Sequence, residues 1–257
     1  MTLNKTIVAF NTIVSKELKR FLRIWIQTLL PPVITTTLYF VIFGSLIGGI
    51  IGEMHGVPYS QFIAPGLIMM AIINNAYANV VSSFFGAKFH GNIQEMIISP
   101  VPAHIVLLGF ISGGIVRGII VGSLVTLVSL FFTELKIHSP IIIISIALLT
   151  ASLLATAGFI NAYYARTFDG MNIVPIFILG PLTYLGGIFF SIDMLPEFWQ
   201  QVAQLNPILY MINGFRYGFL GSADIQLLPT FIVLIIMNIG LYGFALRLLK
   251  IGRGILD

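Results

Sequence analysis

Long apolar segments are the feature that most limits how this chain can fold. Six stretches of 18 or more residues each carry at most one charged side chain. A helix needs about 20 apolar residues to cross the hydrocarbon core of a bilayer. The sequence therefore predicts an all-α integral membrane protein with six transmembrane helices. The predicted spans cover residues 24–51, 61–85, 105–132, 140–164, 173–190 and 227–249.

Composition supports lipid as the solvent for much of the chain. Of its 257 residues, 58% are hydrophobic and only 9% are charged, whereas soluble domains are about 25% charged. The formal net charge of +4 does not indicate nucleic acid, because the basic residues lie beside the apolar blocks, where membrane topology explains them better. The absence of cysteine excludes disulfides and cysteine-ligated metals.

The positions of lysine and arginine predict the orientation. With six spans, ten basic residues fall on one side of the membrane, and only Lys136 and Arg216 are assigned to the other side. Basic residues concentrate on the cytoplasmic side, so both termini are predicted to be cytoplasmic. An odd number of spans would place the basic tail outside. The ten are Lys5, Lys16, Lys19, Arg20, Arg23, Lys88, Arg166, Arg247, Lys250 and Arg253.

Residues 1–23 are predicted to form an amphipathic helix in the membrane interface. Apolar residues recur there at helical spacing with lysines between them, and charges interrupt the place where a signal peptide would have its apolar core. A plain cytoplasmic extension is the alternative. The apolar positions are Leu3, Ile7, Phe10, Val14, Leu18 and Phe21.

Residues 88–101 are predicted to form a short cytoplasmic helix. The segment is polar first, then amphipathic, and is stopped by Pro100 and Pro102. An apolar face on such a helix suits docking into a partner's groove, although a simple interfacial loop fits the spacing equally well. That face comprises Phe89, Ile93, Met96 and Ile97, with Asn92, Gln94 and Glu95 between them.

Residues 193–222 are predicted to form a helical hairpin on the outer side of the membrane. Pro196 opens one helix at a favourable first-turn position, and Asn206-Pro207 ends it. The following piece, residues 208–220, is too apolar for an open loop and too short to span a bilayer. We interpret the pair as re-entrant or interfacial, able to seal the outer end of a conduit.

The sequence offers few groups for chemistry. The spans contain no Asp or Glu, whereas proton- or sodium-coupled carriers usually need a buried carboxylate or an unwound coordinating segment. There is no P-loop motif, no H-E-x-x-H and no G-x-S-x-G. His55, His90, His104 and His138 do not cluster at ligand spacing. No catalytic residue, metal site or cofactor is therefore expected in this chain. A secondary carrier or channel and an intramembrane lipid-modifying enzyme remain open as functions, beside a transporter that takes its energy from a partner.

One predicted span combines small residues with a charge. Gly114, Gly118 and Gly122 recur at every fourth position, a spacing that lets helices approach closely. They fit a dimer face, a conduit wall or packing within the chain. Arg117 lies beside them and could contact an anionic headgroup or substrate, or equally a backbone carbonyl or a neighbouring helix.

The last third of the chain carries a specific pattern of residues, and residues 94–100 carry a second one. The pattern in the last third comprises Leu179, Leu182, Leu185, Gly186, Ile188, Leu195-Pro196, Pro207-Ile208, Tyr210 and Arg216. On these residues the chain resembles the ABC-2 type permease family, the membrane subunits of many bacterial ATP-driven exporters. Residues 23–32, 77–80 and 215–218 most resemble a subgroup of these permeases from Gram-negative bacteria.

The resemblance implies a function that the spacing alone did not show. Residues 1–257 would form one transmembrane domain in the bacterial inner membrane, and two copies would form a homodimer surrounded by membrane lipids. Each copy would bind a separate ATPase subunit through a coupling helix around residues 89–99, so two ATPase copies would hold the ATP and Mg²⁺. The direction would be export, and Arg216 is expected to matter for transport. The cargo is not implied.

Overall fold

Helices make up most of the described part of the chain, which is residues 3–252 of this computed structural model apart from the side chains of Leu3 and Ile97. The start of the predicted surface helix at residues 1–2 and the basic Arg253 lie outside the described residues. Within them the all-α prediction is confirmed, with one addition, a hairpin of two-residue strands, β1 (Glu53–Met54) and β2 (Val57–Pro58).

Five helical segments of the described residues are long and apolar enough to cross a membrane. The first, Trp25–Ile51, is irregular and contains α2 (Trp25–Thr28), α3 (Leu30–Tyr39), a π-helical stretch (Phe40–Ile47) and α4 (Gly48–Ile51). The other four are continuous helices. They are α5 (Tyr59–Phe89), α7 (Ala103–Ser129), α8 (Pro140–Tyr164) and α13 (Leu227–Ile251).

The predicted fifth span, residues 173–190, is a shorter and broken helical run. It consists of α9 (Phe168–Val174), a π-helical stretch (Pro175–Leu179) and α10 (Gly180–Tyr184). Proline cannot donate the main-chain hydrogen bond that a regular helix requires, so Pro175 and Pro181 disturb the run. Beyond it, Gly187 adopts a positive φ of 76°, a conformation that turns the chain away from the helix axis.

The remaining helical segments of the described residues are too short or too polar to count among the candidate spans. They are α1 (Leu3–Arg23), α6 (Asn92–Ile98), a 3₁₀ turn (Ile192–Met194), α11 (Glu197–Gln204) and α12 (Pro207–Leu220). The predicted helix at residues 88–101 is thus seven residues long, and the predicted outer hairpin at 193–222 contains the pair α11 and α12.

Helix α5 is the centre of the bundle, and α7 packs against it in the opposite direction. A Cβ atom on Gly114 would meet Val80, one on Gly118 would meet Ala76, and one on Gly122 would meet Ile72. Residue numbers rise along α7 while they fall along α5, so the two helices are antiparallel. The backbones approach closely because these three positions carry no side chain.

Helices α8 and α13 run side by side in the same direction. The Asn238 side-chain amide donates to the Leu149 carbonyl at 3.1 Å, and the Tyr163 hydroxyl donates to the Leu248 carbonyl at 3.1 Å. The ends of both helices therefore lie at one end of the bundle. Between residues 165 and 226 the chain must return to the opposite end.

Helix α1 packs lengthwise on the first half of α7. A Cβ atom on Gly109 would collide with Ile13, and one on Gly113 would lie 2.6 Å from the Glu17 Cβ. Both helices advance by four residues between these contacts, so they run in the same direction. The buried face of α1 holds Ile13, Glu17 and Phe21, and its placement in the membrane interface stays a prediction.

Candidate functional site

The coupling segment, residues 88–101, presents a different face from the one that the sequence predicts. Ile93 is fully buried in the core, and Met96 is half-buried and lines a groove together with Ile13 of α1. An exposed position for Ile93 is therefore wrong, because the chain itself covers this side chain, whereas the docking role predicted for the segment stays a prediction. The outward-facing side chains are those of Phe89, Asn92, Gln94, Glu95 and Ile98.

Local backbone geometry fixes the direction of α6. Gly91 turns the chain with a φ of 77°, which glycine adopts without steric cost. The Ser99 hydroxyl donates to the Met96 carbonyl at 2.7 Å, and Pro100 prevents the helix from continuing. A seven-residue helix thus follows the end of α5. The side chain of Ile97, which was also predicted to contact a partner, lies outside the described atoms.

Aromatic and charged contacts tie the coupling segment to the start of α9. The rings of Phe89 and Phe168 lie 5.1 Å apart between centroids, and Phe85 meets the same Phe168 ring edge-on at 5.0 Å. The Lys88 ammonium donates to the carbonyls of Tyr163 and Ala165 at 2.6 and 3.1 Å. A displacement of this segment would therefore act directly on the chain that connects α8 with α9.

The Arg216 junction is the contact of Arg216 on α12 with Phe62 on α5 and the turn Gly187-Ile188. Arg216 is 1% exposed. Its Nε donates to the Phe62 carbonyl at 3.3 Å, and its Nη2 donates to the carbonyls of Gly187 and Ile188. The guanidinium also lies 3.9 Å from the centroid of the Phe62 ring, a cation–π geometry. Arg216 thus joins three segments.

The other family-pattern residues assemble around this junction. A Cβ on Gly186 would lie 2.8 Å from Ile212, so glycine lets α12 approach the end of α10. Pro207 occupies the first turn of α12, and Asn206 caps that helix while donating to the Leu182 carbonyl at 2.6 Å. Pro196 precedes α11, and the Tyr210 hydroxyl bridges back to the Gln204 carbonyl at 2.9 Å. The pattern residues therefore fasten α11 and α12 to the bundle.

The glycine stripe of α7 is covered within the chain. Gly114, Gly118 and Gly122 all face α5, and Gly114 also faces Ala155 of α8. Of the three roles that the sequence left open, packing within the chain fits these contacts. A face that α5 covers is not available to a second copy.

The Arg117 cavity is a space of about 320 Å³ between the first span and α5, lined by both polar and apolar residues. Arg117 Nη2 donates to the Asn75 side-chain oxygen at 3.2 Å and to the Thr28 carbonyl at 3.4 Å. Both distances are at or beyond the long end of ordinary N–H···O hydrogen bonds. The polar residues that line the cavity are Gln27, Thr28, Thr35, Thr36, Asn74, Asn75 and Arg117.

A buried ion pair on α1 was not found from the sequence. Glu17 is fully buried, accepts a hydrogen bond from the Ser83 hydroxyl at 2.6 Å, and lies 3.5 Å from the Arg20 guanidinium. Arg20 in turn donates to the Asn79 side-chain oxygen at 2.8 Å. Buried charged groups are normally paired, because an unpaired charge away from water is costly. The contacts of Glu17 and Arg20 with Ser83 and Asn79 anchor α1 to α5.

His55 has carboxylate neighbours that the sequence did not predict. Its ligand atom and those of Asp193 and Asp224 lie within 4.8 Å of one another, so the expectation that no histidine has ligand neighbours is wrong for His55. Asp224 already accepts hydrogen bonds from the Ser191 hydroxyl and the Ile192 amide at 2.9 and 3.2 Å. That carboxylate therefore has a structural role, because it joins the loop after α12 to the 3₁₀ turn at Ile192–Met194.

Comparison with known proteins assigns the family of this multi-pass helical bundle. Residues 8–220 match the family described as ABC-2 type transporter. The chain therefore belongs to the ABC-2 type transporter family, as a membrane permease subunit, and the resemblance seen in the sequence is confirmed.

Two relatives give the degree of similarity. The chain is 55% identical over 248 residues to the Inner membrane transport permease YadH of Escherichia coli strain K12, which covers 96% of this chain and 97% of that protein. It is 22% identical over 185 residues to Nodulation protein J of Neorhizobium galegae, which covers 72% of this chain and 71% of that protein.

Proposed function

We propose that two copies of this chain form the conduit of an ATP-driven exporter in a bacterial inner membrane. A separate ATP-binding cassette subunit docks on each copy and holds the ATP and Mg²⁺, so hydrolysis takes place outside this chain. The observation that carries the proposal is the family match over residues 8–220. The name of the relative from Escherichia coli, an inner membrane transport permease, supports the location.

The ATPase docks on the exposed side of the coupling segment. Phe89 and Ile98 supply apolar contact area, whereas Asn92 and Glu95 supply polar and charged contacts. Glu95 stands in the first turn of α6 and is exposed, so it is suited to meet a basic group on the partner. The contact of Phe89 with Phe168 supports transmission of the docking force to α9.

Six crossings with both termini in the cytoplasm fit the direction of the helices. Because α8 and α13 run in the same direction, the chain needs one return crossing between them. The helical run at 168–184 supplies it, since 17 residues rise about 25 Å, close to the thickness of the hydrocarbon core. Helices α11 and α12 then form the outer re-entrant or interfacial pair.

The homodimer is proposed to form across the open side of the first span. Gln27 and Thr35 on this span and Asn74 on α5 are exposed in the single chain. Polar groups at the depth of the bilayer normally face other protein or a water-filled space, because lipid cannot satisfy them. A second copy placed there would enclose these groups in a shared conduit.

Co-purification tests the proposal directly. The chain is co-expressed with an ATP-binding cassette ATPase encoded beside it, extracted in detergent and assayed for mass and ATP hydrolysis. We expect a complex of two permease and two ATPase copies that hydrolyses ATP. A permease that purifies alone, without a nucleotide-hydrolysing partner, would contradict the proposal.

A charge reversal tests the docking surface. Glu95→Arg is expected to reduce ATPase co-purification by about tenfold or more, because it places a cation against the partner's basic group. Glu134→Arg is the matched control, since Glu134 is also exposed but lies on the loop after α7, at the other end of that helix. Equal co-purification of the two variants would remove Glu95 from the docking surface.

A further inference from the structure

Arg117 is a buried cation at the mid-length of a membrane-spanning helix. It stands 14 residues after the start of α7 and 12 before its end, about 21 and 18 Å along the helix axis. It is 9% exposed. An ionised group at such depth is costly and is normally paired with an opposite charge or lines a functional path.

Within residues 3–252 no carboxylate pairs with Arg117. The two ion pairs found there join Glu17 to Arg20 and His55 to Asp224. Glu17, the acidic group that packs against the same helix at Gly113, is already held by Arg20 and by the Ser83 hydroxyl. The charge of Arg117 is therefore not neutralised by the described part of the chain.

Hydrogen bonding also leaves the Arg117 guanidinium incompletely satisfied. A guanidinium has five N–H donors, and the described contacts are the two long ones from Nη2, whereas the buried Nε has no partner. The carbonyl of Thr28 is available because Pro32, four residues later, has no N–H to donate to it. Arg117 thus supplies, at a long distance, a donor for the Thr28 carbonyl that Pro32 leaves without a main-chain partner.

The guanidinium borders a cavity that a ligand can enter. The space of about 320 Å³ lies at the lower end of the size of small-molecule sites. Gln27, Thr35 and Asn74 line it and are exposed, so the cavity opens at the side of the bundle. Their amide and hydroxyl groups add donors to those of Arg117, whose planar fork matches phosphate and carboxylate oxygens.

We propose that the Arg117 cavity binds the anionic headgroup, a phosphate or carboxylate, of an amphiphile that the permease transports. The apolar part of the ligand extends from the open side of the cavity toward the exposed apolar side chains of the first span, such as Ile34 and Leu38. The inference deepens the proposed transport function and rests on it for the identification of the ligand as cargo.

The first test measures binding by the purified full-length chain in a neutral detergent, without the ATPase. Dodecyl phosphate, inorganic phosphate and uncharged dodecanol are titrated separately, and protection against thermal unfolding gives the dissociation constant. We expect protection by dodecyl phosphate, much weaker protection by inorganic phosphate, and none by dodecanol. Absence of protection by dodecyl phosphate would overturn the proposal, and equal protection by inorganic phosphate would overturn its amphiphile part.

Two substitutions locate the site. Arg117→Gln is expected to weaken dodecyl phosphate binding by about tenfold or more, the effect of losing hydrogen bonds to a charged group. Because this variant also loses contacts with α5, Thr35→Glu is used as well. It adds a carboxylate from the exposed rim of the cavity, neutralises Arg117 and excludes the anion without removing any contact of the guanidinium.

Matched controls separate binding from folding and from general charge effects. Thr35→Gln adds a side chain similar in size to glutamate but without charge. Lys136→Gln removes an exposed cation on the loop that follows α7, beyond the end of the helix that carries Arg117. Lys136→Gln is expected to bind dodecyl phosphate like the wild type, and Thr35→Gln is expected to bind it more tightly than Thr35→Glu. Wild-type affinity in Thr35→Glu, or the same loss in Thr35→Gln, would refute a charge-selective site at Arg117.

The ATPase complex distinguishes a transported amphiphile from a resident lipid headgroup. For cargo, dodecyl phosphate is expected to raise ATP hydrolysis by the wild-type complex and not by the Thr35→Glu complex. Binding without any change in hydrolysis would overturn the assignment to cargo. Since binding is measured on the permease alone, failure to find an ATPase partner would refute the proposed function and leave the anion site standing.

Discussion

Arg216→Ala is expected to loosen the Arg216 junction and lower the stability of the whole bundle. The substitution removes the donors to the Gly187 and Ile188 carbonyls and the contact with the Phe62 ring. Both carbonyls belong to buried residues of a turn, so no helical neighbour replaces the lost donor. The change also leaves a cavity in place of one of the largest fully buried side chains.

The magnitude follows from these losses. Each buried carbonyl left without a partner costs about 1–3 kcal/mol, and a desolvated cation–π contact contributes about 2 kcal/mol. Removal of a buried charge returns part of this, because the desolvation penalty disappears. A net loss of about 2–5 kcal/mol remains, which corresponds to a decrease in Tm of roughly 4–20 °C on the scale of soluble domains of similar length.

The assay is thermal unfolding in detergent, followed by the fraction that remains monodisperse on size-exclusion chromatography. Arg216→Lys keeps the charge but cannot reach several carbonyls at once, so its Tm is expected to lie between those of Arg216→Ala and the wild type. Lys136→Ala is the control for an exposed cation. If Arg216→Ala melts within about 2 °C of the wild type, Arg216 does not hold the junction.

Two further predictions concern packing and coupling. Gly114→Ala places a Cβ 2.6 Å from Val80 and is expected to cost about 1–3 kcal/mol, measured as a lower Tm. Gly240→Ala meets nothing within 4 Å and is expected to be neutral or stabilising, so equal effects would contradict the close approach of α7 and α5. Phe168→Ala is expected to retain ATPase co-purification but reduce ATP hydrolysis by the complex, because it breaks the aromatic contact with the coupling segment. Phe131→Ala, at an 87% exposed position, is the control, and equal hydrolysis by both variants would exclude that route.

Sequence alone predicted the spanning helices well where length and apolar composition decide the outcome. Helices α5, α7, α8 and α13 were predicted within a few residues of their observed ends. The run at 168–184 was harder, because hydropathy continues through Pro175 and Pro181 while the helix does not remain regular. Hydropathy reports the solvent of a segment, not its hydrogen bonding.

The candidate sites were harder to predict because side-chain surroundings are set by distant segments. Ile93 has the spacing of an exposed apolar face, yet packing against the bundle buries it. Glu17 lies four residues from both Ile13 and Phe21, so it shares their buried face, but its partner Ser83 is 66 residues away. Asp224 likewise reaches His55 only through the fold.

The two buried arginines show why the sequence could not separate a structural from a functional cation. Sequence reasoning connected Arg216 with transport and left the role of Arg117 open. In the fold, Arg216 donates to three carbonyls and stacks on Phe62, so its guanidinium is used to hold segments together. Arg117 makes two long contacts and borders an accessible cavity with polar and apolar residues in its wall. Each guanidinium keeps one buried nitrogen without a partner, Arg216 Nη1 and Arg117 Nε, so the difference lies in their surroundings. Arg216 is 1% exposed and enclosed by the segments that it joins, whereas Arg117 borders a cavity that a ligand can enter. Substitution of Arg216 should therefore change stability first, and a charge placed beside Arg117 should change binding first.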